Sequence, residues 1–369
     1  MTLLSKPNCV PIHGGDIVSA SQKYNIPIDK WLDLSTGINP CGYPIPAVHD
    51  HFFRSMPYQS RAFSKAVSSY YGFENFLATN GSQQVIQVLP SLLEPMSVLL
   101  PEFGYQEHRH AWMLNGNYIE SYPAFDPCTA KKTIEKKLSE KKPFHLVIIN
   151  PNNPTGMCFD PSQLALWADQ LSKGAKLIID EAFIDAVPQH SVLVNSFREN
   201  MLVLRSFGKF FGLAGLRLGF TFASPDIINT LKQKVGIWDV NGPAQAIATE
   251  ALCDNLWISN SLREIQLNAE KSRDLFSLLF NELPVFWQVH QPLFSSYRLD
   301  KVVAENLYEY FGSQGILLRL VNFCETTSLL RIGQIDHQNI SNLERLKKVF
   351  NEFMRCYMQS NDKLEKVYG

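Results

Sequence analysis

Lys209 stands in the stretch Arg205-Ser-Phe-Gly-Lys-Phe-Phe-Gly-Leu-Ala-Gly-Leu-Arg-Leu-Gly219, an apolar, glycine-punctuated setting for an amine, with the guanidinium of Arg217 eight residues on. Upstream, Asp180 closes the apolar run in Ile178-Ile-Asp180-Glu-Ala-Phe183, and an acid there is expensive to bury unless it meets a cation. Asn153 lies in Asn150-Pro-Asn-Asn-Pro-Thr-Gly156, where two prolines restrict the backbone and present the amide rigidly. A fourth segment, Thr79-Asn-Gly-Ser-Gln-Gln84, reads as strand, small-residue turn and helix start. It places backbone N–H groups and a hydroxyl where an anion can sit, although Ser82 alone serves equally well as a plain helix cap.

Strand ends must hold these four segments. From about residue 60, helical patterns alternate with short apolar runs: helix near 61–71, strand at 76–79, helix from 82, strand at 97–100, helix from 104 and strand near 117–121. Leu146-Val-Ile-Ile149 and Lys176-Leu-Ile-Ile179, separated by a helical stretch over 161–173, and then Leu202-Val-Leu204 supply further strands. Continuous apolar strands separated by helices predict an α/β domain with a parallel, doubly covered sheet, whose binding crevice lies at the strand ends. Residues 1–49, rich in turn signals, read as an irregular N-terminal arm that is part of a small domain, and 50–245 as the large domain. After Pro243 a long helical region runs towards 281, and short strands follow near 286–298, 315–320 and 327–332. That change of pattern predicts a smaller α+β domain over 246–369.

Taken together, the four segments resemble fold-type I pyridoxal-5'-phosphate enzymes, the aspartate aminotransferase superfamily with its aminotransferase class I/II-like fold, which implies a large mixed-to-parallel sheet. Asn153 precedes Asp180 by 27 residues, Asp180 precedes Lys209 by 29 and Lys209 precedes Arg217 by 8, in the order and spacing of that superfamily. The resemblance implies a role for each residue. Lys209 would condense with the cofactor's aldehyde and then act as a general base, and Asp180 would pair with the pyridinium nitrogen so that the ring accepts electrons. Asn153 would bind the ring 3'-oxygen. The phosphate would be held by the Gly81 and Ser82 amides, the Ser206 hydroxyl and the Arg217 fork. Phe103, in Pro101-Glu-Phe-Gly-Tyr105, would stack over the ring, as the resemblance places it. Two positions depart from many relatives: Phe183 stands where they carry Tyr, which removes a hydroxyl donor to the ring oxygen, and Gly208 where they carry Ser or Thr, which removes a phosphate contact.

The stretches His13-Gly-Gly-Asp16, Trp31-Leu-Asp-Leu-Ser-Thr-Gly-Ile-Asn-Pro40 and Tyr43-Pro44 are similar to the threonine-phosphate decarboxylase group of cobalamin biosynthesis, near relatives of histidinol-phosphate aminotransferase. This resemblance implies a PLP-dependent carboxy-lyase that converts L-threonine O-3-phosphate to (R)-1-amino-2-propanol O-2-phosphate. Arg331, in Ser328-Leu-Leu-Arg-Ile-Gly333, would grip the substrate carboxylate, and Arg319, in Gly315-Ile-Leu-Leu-Arg319, its phosphate. Asn39 and the His13-Gly14 turn would close over the substrate, while His13 reads equally well as a structural hydrogen-bonder. The family also implies a homodimer, in which Tyr58 reaches a neighbouring subunit's cofactor phosphate. An aminotransferase for histidinol phosphate or a similar phosphorylated amine stays open, because both reactions use this machinery and differ in which Cα bond stands perpendicular to the ring. A cofactor-binding regulator or inactive scaffold is the reading from another class, opposed by the intact Lys209.

Bulk properties agree with an enzyme for a small molecule. The chain has 369 residues, enough for two domains, with 45% hydrophobic and 19% charged residues, so disorder, collagen and coiled coil are excluded. A net charge of -1 lacks the basic excess that nucleic acid or an anionic membrane surface would need. Seven scattered cysteines with no metal-ligand spacing read as reduced thiols, and the N-terminus has no export signal, so the expected location is cytoplasmic and no metal is expected. The Lys-dense stretch 130–142 carries Ile134 and Leu138 at helical spacing and reads as a solvated amphipathic helix rather than an anion patch. His108 and His110, two apart, would face different ways on a helix, which argues against a metal pair.

Overall fold

The computed structural model describes residues 13–322 and 324–368. It divides into two compact units, residues 41–263 and residues 13–40 with 264–368.

In the larger unit the strands expected at 97–100, 146–149, 176–179 and 202–204 appear as Ser97–Pro101, Phe144–Ile149, Leu177–Asp180 and Met201–Ser206. With Ile119–Tyr122 they form the parallel part of a seven-stranded sheet, and Val147, Ile148, Ile178 and Ile179 are wholly buried in it, as covering on both faces requires. Gly219–Ala223 was not expected as a strand. It runs antiparallel to both neighbours, Met201–Ser206 and Phe76–Thr79, and makes the sheet mixed. Its two aromatic rings, Phe220 and Phe222, pack on Tyr71 and Phe76, so the strand is stabilised by tertiary contact rather than by a pattern visible in its five residues.

The helix Arg61–Tyr71 forms where its periodicity places it. Ser60 Oγ accepts from the Phe63 amide, Phe63, Ala66, Val67 and Tyr71 are buried, and Gly72 ends it with φ 67°. The Lys-dense helix Pro127–Ser139 buries Ala130, Ile134 and Leu138 on one face. The long helical region expected after Pro243 is two helices, Gly242–Cys253 and Asn255–Phe280. Asp254 breaks it, with ψ 77°, and its carboxylate accepts from the Trp257 amide 2.9 Å away. Gly242–Cys253 packs on Arg61–Tyr71 and belongs to the larger unit, which runs to Arg263.

In the smaller unit an antiparallel sheet is ordered Arg319–Asn322, Thr327–Gly333, Phe294–Asp300, Val285–Gln291. Tyr297, Leu299, Leu307, Leu330 and Phe350 form part of its core. The strand expected at 315–320 is split at Leu318: Ile316–Leu317 pairs in parallel with Leu32–Asp33, while Arg319–Asn322 joins the antiparallel sheet. Residues 13–40, expected as arm, thus pair with the C-terminal part of the chain. Residues 41–49 belong to the larger unit, where the Tyr43 amide donates to Phe211 O.

No helix among the described residues is long and apolar enough to cross a membrane. The six described cysteines are free thiols, and Cys9 lies outside the described residues.

Candidate active site

Strand alternation decides which side chains meet. Asp180 and Ser206 end neighbouring parallel strands and line one cavity, together with Gly81, Ser82, Asn153, Lys209 and Arg217. The residues between them in sequence, Glu181 and Arg205, are buried in a separate network. There Arg205 Nη1 lies 2.7 Å from Glu181 Oε2, Arg205 Nη2 pairs with Asp185, and Ser191 Oγ donates to Glu181 at 2.7 Å. Two carboxylates share one guanidinium, and burial pushes both acids above the usual carboxylate range while Arg205 opposes it.

Asp180 is 3% exposed, and its partner is a histidine. Oδ2 lies 2.9 Å from Nε2 of His108, itself 3% exposed, and Oδ1 accepts from the Ala182 amide at 3.0 Å. The carboxylate is thereby fixed in rotation. Sequence reasoning weighed His108 only as half of a metal pair and missed it here; the available signal was the buried strand-end acid, which requires a buried donor from another element.

The three asparagines of 150–156 divide their work. Asn150 is bonded twice to the Phe159 backbone, at 2.7 and 3.1 Å, and Asn152 donates to Phe103 O and Thr155 Oγ1, so both brace the turn. Asn153 lines the cavity. Phe103 does not line it. Its ring is buried against Phe125, 5.7 Å away, and the aromatic side chains at the cavity are Tyr105, two residues further on, and Phe183. Helix Gln106–Leu114 begins just after Tyr105, whose ring lines the cavity. The Tyr105 hydroxyl donates to Gln83 Oε1 at 2.9 Å; burial first, then Glu107 and Asp180, raise its pKa, so it stays a donor.

Lys209 sits in the short helix Phe207–Phe210 with Nζ 5.6 Å from the centre of the Phe183 ring, so an aromatic face stands beside the amine. The Asn80–Ser82 turn is shaped to meet Arg217: Gly81 has φ 77°, and a Cβ there would lie 2.8 Å from Arg217 Nη2. Arg217 itself has φ 53°, a left-handed conformation that a non-glycine residue holds only where the surroundings impose it. A Cβ on Gly219 would fall 2.4 Å from the Ser82 amide nitrogen. Gly208 also has a steric reason, since a Cβ there would lie 2.5 Å from Ala214 Cα.

A second cluster lies within the smaller unit. Arg319 and Arg331 are directly opposite each other on antiparallel strands. Arg331 is 6% exposed, stands 5.7 Å from the Phe294 ring and donates to Ser35 O. Burial, then Arg319, push the Arg331 guanidinium down to about 9, with Asp33 opposing; burial also lowers that of Arg319. Like charges opposed in a sheet are destabilising, so the row is suited to an anion. The His13-Gly14 turn is tied to the same place. The Gly15 amide donates to Ser35 Oγ at 2.7 Å, Ser35 Oγ donates to Asp33 at 2.6 Å, and a Cβ on Gly14 would lie 2.2 Å from Ser35 O. His13 is exposed and Asn39 buried.

The sequence pattern of Aminotransferase class I and II matches residues 46–345. A threonine-phosphate decarboxylase of Pseudomonas aeruginosa is 39% identical over 243 residues, 66% of this chain and 71% of that protein. Among solved structures, the histidinol-phosphate aminotransferase of Clostridium acetobutylicum has a TM-score of 0.72 at 25% identity, covering 87% of this chain and 99% of that one. The histidinol-phosphate aminotransferase of Sinorhizobium meliloti, solved with pyridoxal-5'-phosphate, reaches 0.74 at 17% identity, covering 95% and 100%, and shares the fold. With a fold-type I architecture and a match over most of its length, the chain is an enzyme that belongs to the aminotransferase class I and II family.

Proposed function

We propose that the enzyme binds pyridoxal 5'-phosphate and decarboxylates L-threonine O-3-phosphate to (R)-1-amino-2-propanol O-2-phosphate in cobalamin biosynthesis. The observation that carries this reading is the facing pair Arg319 and Arg331, suited to a substrate with two anionic groups, in a chain whose larger unit gathers Lys209, Asp180 and Asn153 around one cavity. The residues fit the cofactor: the glycine-lined turn converging on the Arg217 guanidinium leaves no room for a side chain at 81 and suits a phosphate, while Asp180, oriented by His108, suits a ring nitrogen. When bound, the cofactor supplies an electron-accepting ring for the pair left as the Cα–carboxylate bond breaks.

The chain's own residues do the rest. Lys209 would hold the cofactor's aldehyde carbon until the substrate amine displaces it, would take up the proton that the substrate ammonium gives up, and would return that proton to Cα in place of the departing CO2. Asp180 keeps the ring nitrogen protonated, Asn153 holds the ring oxygen, and Gly81, Ser82, Ser206 and Arg217 hold the phosphate. Tyr105 covers the ring. Arg331 holds the substrate carboxylate, Arg319 its phosphate, and His13, Gly14 and Asn39 exclude water. The enzyme works as a cytoplasmic homodimer; the exposed side chains Phe53, Met56, Ile237 and Tyr58, the last 71% exposed with its ring 6.0 Å from Trp238, support a partner surface there.

The test is to supply pyridoxal 5'-phosphate and L-threonine phosphate without any oxo acid and to measure CO2 and the amino-alcohol phosphate. Transfer of the amino group from histidinol phosphate to 2-oxoglutarate, with no CO2 from phosphothreonine, would establish the aminotransferase reading instead, to which the histidinol-phosphate aminotransferase neighbours lend support.

A further inference from the structure

The segment Thr79-Asn-Gly-Ser-Gln-Gln84 ends in two glutamines to which the proposed reaction gives no task. Each joins one feature of the cavity to one carboxylate from elsewhere in the larger unit. Gln83 Oε1 accepts from the Tyr105 hydroxyl at 2.9 Å, and Gln83 Nε2 donates to Glu107 at 2.6 Å. Gln84 repeats the pattern. Its Oε1 accepts from the Asn80 amide at 3.0 Å and its Nε2 donates to Asp239 at 2.6 Å. Asp239 Oδ2 also accepts from the Asn80 amide, at 3.3 Å. An amide carries donor and acceptor at one tip, so a glutamine can bond a carboxylate at one atom and a hydroxyl or N–H at the other. Contacts to an ionised acid are the stronger class of hydrogen bond. Glu107 is 8% exposed, and Asp239 follows Trp238, held at φ 62°, a conformation rare for a bulky side chain. Glu107 is buried and Asp239 half-buried, and each is held by its glutamine.

Resting on the reading that this cavity takes pyridoxal 5'-phosphate, we propose that Gln83 with Glu107 and Gln84 with Asp239 are two independent clamps. The first sets the tilt of the Tyr105 ring, and the second sets the Asn80–Ser82 turn. All four are positioning residues, acting through Tyr105 and the turn.

Charge-swap cycles on the full-length protein test this, with three readouts: the dissociation constants of pyridoxal 5'-phosphate and pyridoxal, the visible circular dichroism of the bound cofactor, and the melting temperature of the apoprotein. Gln83→Glu sets two carboxylates against each other. It should change the circular dichroism band and weaken both ligands by roughly tenfold or more, while Gln83→Glu with Glu107→Gln returns both to near wild type. Gln84→Glu should weaken pyridoxal 5'-phosphate by roughly ten- to a hundredfold, leave pyridoxal and the band shape nearly unchanged, and be rescued by Asp239→Asn. The mismatched pairs, Gln83→Glu with Asp239→Asn and Gln84→Glu with Glu107→Gln, carry the same net charge and should not rescue. Rescue by mismatched pairs, or losses that track only the melting temperature, would overturn the clamps while leaving the cofactor reading intact. A wild-type chain that takes up no pyridoxal 5'-phosphate overturns both.

Discussion

The strands Leu177–Asp180 and Met201–Ser206 carry charge on two faces, and the faces treat it differently. Behind, Arg205 meets Glu181, Asp185 and Ser191, all four buried and bonded to one another; in front, Asp180 is held by His108 and Ala182 while its neighbours Lys209, Ser206 and Arg217 border open space. Burial alone therefore does not mark a functional acid, for Asp180, Glu181 and Asp185 are all buried. What separates them is whether their charged neighbours are consumed by one another or arranged around a space a ligand can enter.

The sharpest way to break this comparison is at the front. Lys209→Ala should lower kcat by roughly 10⁴-fold or more, with a near-unchanged melting temperature, since the amine serves chemistry rather than packing; steady-state kinetics beside a thermal melt decide it. At the back the signature should reverse. Arg205→Leu strands two buried carboxylates and should cost about 3–5 kcal/mol of stability in a denaturant titration. Whatever protein remains folded should keep more activity than Lys209→Ala. Wild-type stability in Arg205→Leu would mean that the back network is not held by charge.

A smaller effect belongs to the link between Asp180 and its donor. His108→Leu leaves Asp180 the Ala182 amide but not the imidazole. Losing a hydrogen bond to a charged group is worth about 1.5–3 kcal/mol, so kcat should fall roughly 10- to 150-fold while KM changes less. The smallest effect concerns pH. Glu181 and Asp185 have folded-state pKa values raised by burial, so the folded state binds more protons than the unfolded one in the window that opens just above their ordinary values of 4.5 and 3.8. Stability should decline as pH rises through that window, and Asp185→Asn, which matches one acid to one arginine, should flatten the decline in melts taken across it.

This contrast also explains what the sequence disclosed. The strands at 144–149, 177–180 and 201–206 were legible because burial on both faces demands unbroken apolar runs, and Asp180, Asn153, Lys209 and Arg217, which line one cavity, because their order and spacing resemble those of fold-type I enzymes. Strand Gly219–Ala223 was hidden because it begins at the last residue of the stretch that carries Lys209 and Arg217, and its antiparallel pairing with Phe76–Thr79 depends on a partner far away in sequence. His108 and Tyr105 were missed for a related reason: their importance comes from what they touch, Asp180 and Gln83, and neither contact leaves a local pattern. Phe103 and Tyr105 lie two residues apart, and only the start of the following helix decides which ring reaches the cavity.

The close approach of Gly208 to Ala214 limits how this site can change by mutation. A hydroxyl side chain at 208 would add a donor near Ser206 and Lys209, yet its Cβ would run into backbone that leads directly into Arg217. Trimming Ala214 to glycine would not make room, because the nearest obstacle is its Cα. The gain at 208 is thus tied to displacing the arginine seven residues beyond the helix that carries Lys209, so any lineage moving toward a serine there must rebuild residues 213–217 in the same passage, and single steps along that route lead downhill.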